Sequence, residues 1–185
     1  MGALANLLGY QLAWLAAVAG AGRGDAWPAL VCAGGFAAWQ VATARRRAHE
    51  LKLAAAALGC GVLLDGALSA AGLLHYATAA PALPQGGAPL WILALWLAFA
   101  STLTRSLAFL QTRPWLAVLL GVVGGPLAYL GAAAGWQAVA FDAPAWRALG
   151  LLAFGWGLAL PLLARLARAS KRRTDDALTV RPRLP

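Results

Sequence analysis

The stretch Leu90-Trp91-Ile92-Leu93-Ala94-Leu95-Trp96-Leu97-Ala98-Phe99-Ala100-Ser101-Thr102-Leu103-Thr104-Arg105-Ser106-Leu107 decides the class of this chain. It opens an apolar segment, 90–112, and itself carries one arginine among four hydroxyl residues. A bilayer core of about 30 Å is crossed by about 20 apolar residues in a helix. A charge at the centre of such a helix costs about 2.5–3.5 kcal/mol on insertion scales, so it faces the protein interior or water. The stretch therefore predicts one polar site inside an oily molecule.

The rest of the composition agrees. Of 185 residues, 62% are hydrophobic and 11% charged, against about 25% charged in soluble domains. Nine Trp and 21 Gly suit a membrane protein, because Trp favours the interface and Gly lets helices approach. The formal charge of +9 could suit nucleic acid, but the basic residues flank apolar segments, where orientation on a membrane explains them better. Nucleic acid is therefore not an expected partner; membrane lipids are, and other membrane proteins come next. Cys32 and Cys60 lie in apolar runs without a CxxC or metal-ligand spacing, so no disulfide framework, metal site or cofactor is expected.

Taken outward from 90–112, the pattern predicts an all-α, six-helix transmembrane bundle over residues 1–168. Its spans fall near 4–21, 26–44, 51–74, 90–112, 115–136 and 146–166. The first has no Lys or Arg before it and is interrupted by Asn6, Tyr10 and Gln11, which argues for a span over a cleaved signal. Pro28 sits in a first turn, where its missing N–H is harmless; Pro126 and Pro161 fall inside spans. The stretch 75–89, with three prolines and two adjacent glycines, should be extended or turn-like. Residues 169–185 are basic and polar and are expected to form a disordered cytoplasmic tail. Arg45, Arg46, Arg47 and Lys52, then Arg113, then Arg165, Arg168, Lys171, Arg172 and Arg173 mark alternate connections. Both termini should thus be cytoplasmic.

Arg105 lies about 12 Å from the inner end of its span, and Asp65 about 21 Å from the inner end of the third, at 1.5 Å per residue. Helical side chains lean toward their own N-terminus, so in antiparallel helices these two lean toward each other. One reading is a pair that fixes helix register and binds nothing. The other is an anion or headgroup site, with Arg105 as the charge and Ser101, Thr102 and Ser69 as neutral donors. Asn6, Tyr10 and Gln11 could join it, although plain interhelical hydrogen bonding explains them more simply. Gly61, Asp65 and Ser69 stack at intervals of four as a close-packing face, and Gly121, Gly125, Ala128 and Ala132 make a second small face. No Ser-His-Asp set, paired-carboxylate set or phosphate-cradling glycine loop is present in the pattern.

Asn6-Leu7-Leu8-Gly9-Tyr10-Gln11-Leu12-Ala13-Trp14, Leu64-Asp65-Gly66, Pro89 to Leu107, and Gly124-Gly125-Pro126-Leu127-Ala128-Tyr129 together resemble a family of small bacterial inner-membrane proteins, the domain of unknown function 2878 family. The resemblance spans roughly Asn6 to Arg168. A Ser often stands in that family where this chain has Gly66 and Ala128. The resemblance implies a multi-pass inner-membrane location and, through genes for lipid-modifying enzymes encoded nearby, a link to fatty-acyl chemistry that maps onto no residue. Two function classes follow. One is a non-catalytic protein that binds or moves an amphiphile, or scaffolds lipid-modifying enzymes. The other is an intramembrane enzyme using Asp65 and Arg105, with a transporter's substrate-binding subunit as a variant. The scarcity of His, Cys and Glu in the spans favours the non-catalytic class.

Overall fold

The structure is a computed structural model and describes residues 2–179. Helix α1 is Ala3–Gly22. Helix α2 covers 27–42 as an α turn, Trp27–Ala29, a π-helical stretch, Leu30–Gly34, and an α segment, Gly35–Ala42. Helix α3 is Arg47–Ala70, α4 Leu90–Ala100, α5 Pro114–Trp136 and α6 Trp146–Thr179. Four short strands complete the order: β1 (Leu74–Tyr76), β2 (Ala82–Leu83) and β3 (Ala88–Pro89) between α3 and α4, and β4 (Val139–Phe141) between α5 and α6.

The segment expected to span 90–112 is a helix only as far as Ala100. At about 1.5 Å per residue its 11 residues reach about 16 Å, half a bilayer core. The hydroxyl residues end it. Ser101 Oγ donates to Ala98 O at 2.7 Å and Thr102 Oγ1 to Phe99 O at 2.7 Å. Each hydroxyl takes a carbonyl that a further α-turn would have used. The backbone tightens with them, Ser101, Thr102 and Leu103 N–H donating three residues back. Turns follow to Leu107, then a 3₁₀ helix, Ala108–Thr112.

Helix α4 is the core. All its residues except Leu90 and Leu97 are buried. It packs against α3, α1 and the π-helical stretch of α2. Gly61 on α3 makes the closest approach: a Cβ there would strike the Trp96 indole. Helices α5 and α6 form an equally tight pair, in which Gly121 admits the Trp156 backbone and Gly125 the Trp156 side chain. Both small-residue faces read from the sequence thus receive a tryptophan.

Strands close the end of the bundle opposite Arg45–Arg47. Helix α3 ends at Ala70, and the chain turns away at Gly72, whose φ of +65° is the left-handed conformation that glycine adopts freely. Strand β1 then pairs antiparallel with β4, His75 opposite Ala140, and β2 pairs with β3. Thr78 Oγ1 donates to Ala21 O at 2.8 Å and Trp91 Nε1 to Thr78 O at 2.9 Å, fixing this cap to α1 and α4.

Other boundaries differ modestly from expectation. Helix α3 begins at Arg47, so His49, Glu50 and Lys52 lie in its first turns instead of a loop. Helix α6 continues beyond the expected end at Leu166, through the start of the stretch read as a tail, to Thr179. The rest of that stretch lies outside the described residues.

Candidate functional site

The polar residues expected to form one site occupy separate places. Asp65, fully buried on α3, accepts three hydrogen bonds. Tyr76 Oη donates to Oδ1 at 2.7 Å, Trp96 Nε1 to Oδ2 at 2.7 Å, and Tyr129 Oη to Oδ1. An indole N–H can only donate, so at least this contact requires an acceptor oxygen. Burial, and then the Asp65 carboxylate, push the Tyr76 phenol well above its ordinary value, which keeps it a donor. Asp65 thus joins β1, α4 and α5 to α3, with side chains that are themselves aromatic.

Arg105 is elsewhere. Its Nη1 lies 3.7 Å from Glu50 Oε1 and 3.4 Å from Thr104 Oγ1, and its Nη2 donates to Gln40 O at 3.2 Å. Thr104 Oγ1 also donates to Glu50 Oε1 at 2.9 Å. The expected approach of Asp65 and Arg105 therefore fails. It assumed a helix continuing to Arg105, and the turns after Ala100 carry Arg105 to the ends of α2 and α3 instead.

The remaining candidates divide likewise. Ser101 and Thr102 are buried and spend their hydroxyls on their own backbone. Ser69 Oγ donates to Gly86 O at 3.4 Å, in the strand cap. Asn6 is fully buried; its Oδ1 accepts from Ser106 Oγ at 2.7 Å and Ser106 N at 3.4 Å, while its Nδ2 has no partner among the described residues. Gln11 is exposed on the outside of α1. Tyr10 alone of that trio faces a cavity.

That cavity, about 270 Å³, lies between α1, α4, α5 and α6. It is about twice the ~150 Å³ of a dry cavity that takes benzene and just under the ~300–1,000 Å³ of drug-sized sites. Its wall is an aromatic series. Tyr10 meets Phe99 edge-on at 5.8 Å, Phe99 meets Trp156 edge-on at 5.2 Å, and Trp156 stacks on Trp96 at 4.2 Å. Gly124 and Ala128, both exposed, form the rim on α5. Asp65 does not line it; through Trp96 and Tyr129, which do, it holds the wall in place. One buried polar atom at the wall, Trp156 Nε1, makes no hydrogen bond of ordinary length among the described residues and lies beside the Tyr129 hydroxyl.

Tyr76, Trp96, Tyr129 and Trp156 were not singled out from the sequence. One signal was available: a buried Tyr or Trp needs a partner for its polar tip, and Asp65 is the carboxylate within the apolar part of α3. The chain has three tyrosines; two bond Asp65 and the third lines the cavity.

Helices α1, α3, α5 and the Trp146–Ala169 part of α6 are each long and apolar enough to cross a membrane. Fold and site together define a mostly helical protein of membrane type, with an apolar cavity beside a buried carboxylate. The chain belongs to the family described as "Protein of unknown function (DUF2878)", whose model matches residues 3–162. No curated protein and no solved structure matches it.

Proposed function

We propose that this is a non-catalytic inner-membrane protein whose cavity holds an apolar chain bearing one neutral oxygen, such as an acyl ester or a fatty alcohol. The observation that carries this reading is the buried Trp156 Nε1, a donor without a close acceptor on an otherwise apolar wall. A neutral acceptor oxygen would satisfy it; a buried unpaired donor is otherwise costly, at about 1–3 kcal/mol. Binding is favoured over catalysis because Tyr is the one titratable residue type on the lining, with no Ser, Cys, His, Asp, Glu or Lys. Moving the molecule, or presenting it to lipid-modifying enzymes, are extensions of the same site.

In this reading the chain crosses six times with both termini cytoplasmic. The short α4 and the turns after it make one crossing together, tolerated because non-helical backbone at membrane depth is enclosed by protein. A broken helix of this kind often marks a binding site in transporters. Reporter fusions after Arg47 and Arg113 should read cytoplasm, and one near Gly86 the outside; a cytoplasmic signal at Gly86 overturns the topology.

The binding test uses Gly124→Leu, since a Cβ at Gly124 meets open space and the larger side chain projects over the cavity rim. Wild-type protein, purified in uncharged detergent, should carry an apolar-chain species enriched over bulk lipid by mass spectrometry. A stoichiometric brominated fatty alcohol should quench its tryptophan fluorescence, and the variant should show neither effect. If wild type carries no enriched species and quenches no more than the variant, the reading fails. A second reading, intramembrane lipid chemistry, rests on the Tyr129 hydroxyl that joins Asp65 to the cavity wall. Chemical alteration of an acyl-ester probe that is lost in Tyr129→Phe would favour it.

A further inference from the structure

A second hollow lies at the arginine end of the bundle and shares no lining residue with the apolar cavity. It measures about 330 Å³, and its chemistry is set by Arg45, Arg46, His49, Glu50, Thr104 and Arg105. Among the described residues its lining carries three guanidinium groups and one carboxylate. That carboxylate is already engaged, accepting from Thr104 and lying beside Arg105. We propose that this hollow binds a phosphate group, independently of whatever occupies the apolar cavity.

Several observations converge on an anion. Arg105 is held before any ligand arrives, anchored to Gln40 O and flanked by Thr104 and Glu50. An arginine fixed in this way loses little freedom when it meets an oxyanion, and its fork matches phosphate oxygens. His49 Nε2 is buried and has no hydrogen-bond partner among the described residues. Protonated at that nitrogen, it is a donor to a ligand oxygen. The hollow also sits at the start of α3, a helix of 24 residues without a side-chain N-cap. The positive end of the helix dipole therefore adds to the field. A carboxylate ligand would use one fork; phosphate offers oxygens to several groups arranged around it.

The position suits a lipid headgroup, since basic pockets between membrane helices at the cytoplasmic face are where such groups lodge. Free phosphate presents the same chemistry. Two arms distinguish them. The full chain is placed in phosphatidylcholine nanodiscs, and its thermal midpoint is followed with inorganic phosphate against sodium chloride at equal ionic strength. The same midpoint is then followed in discs doped with phosphatidic acid. Stabilisation by inorganic phosphate assigns a soluble phosphate site; stabilisation by phosphatidic acid alone assigns a headgroup site. Either supports the proposal if Arg45→Gln and His49→Ala each weaken the effect about tenfold, the loss expected for one charge-assisted hydrogen bond. Arg45 is exposed, so that variant should fold even if Arg105→Gln does not. No stabilisation in either arm overturns the proposal. So does an equal response in wild type, Arg45→Gln and His49→Ala, which would reduce the effect to general attraction by a basic surface.

Discussion

Asp65 and Arg105 are two charged side chains in one apolar molecule, and they are accommodated in opposite ways. Asp65 is fully buried and saturated by three aromatic donors. Arg105 sits in an open, charge-rich hollow, 18% exposed in its side chain, with a carboxylate nearby and room for another anion. A group that is dry and saturated organises structure; a group that is partly wet with spare capacity is available to a ligand. The contrast separates the structural carboxylate from the candidate anion site more firmly than charge alone could.

The largest expected effect strikes the dry region. Asp65→Ala leaves three buried donors without an acceptor, at about 1–3 kcal/mol each, so thermal unfolding in detergent should show a loss of about 3 kcal/mol or more. Asp65→Asn should lose less, since one carbonyl oxygen remains. A midpoint for Asp65→Ala within error of wild type would mean the aromatic donors find other partners and the contrast is false.

Gly61→Ala comes next. Its methyl would strike the Trp96 indole, displacing the group that donates to Asp65, at about 1–3 kcal/mol for an overpacked site. Quenching by the brominated fatty alcohol should weaken along with stability, because Trp96 is part of the cavity wall. Unchanged quenching would show that the wall tolerates a shifted Trp96.

Arg105→Gln should cost less, about 1 kcal/mol or below, because its partner Glu50 is 3.7 Å away and both side chains keep some contact with solvent. The smallest effect is the coupling between the two regions. Combining Asp65→Asn with Arg105→Gln should be additive within about 0.5 kcal/mol, as for residues without shared partners. A larger coupling energy would restore the interhelical pair that the helix lengths exclude.

Much of the helical layout was legible because hydrophobic periods and prolines mark it. Pro114 and Trp136 bound α5 as read, and the small residues at Gly61 and Gly121 pack where the spacing placed them. The early end of α4 was not legible from hydropathy, since no glycine or proline interrupts 90–112. The signal was chemical: Ser101 and Thr102 stand side by side with hydroxyls that compete for helix carbonyls. From that missed break came the misplaced Arg105. The site at Asp65 was half legible. The carboxylate stood out, but its partners lie 11, 31 and 64 residues away. Tyr76 reaches it only because β1 folds back over the end of α3, an arrangement that pairing with β4 secures.

The shortness of α4 bears on how the chain is made. As residues 90–112 leave the ribosome, α5 and α6 have not yet emerged. A plain apolar span could slip into lipid and wait, but turns with exposed backbone groups cannot. The partners that precede α4 in the chain, α1, α3 and the π-helical stretch of α2, must already be assembled to receive it. An arrest-peptide force measurement should therefore register a pull, as α4 emerges, that weakens in Gly61→Ala. A pull indifferent to Gly61 would mean that α4 first enters lipid alone and finds its seat only when the chain is complete.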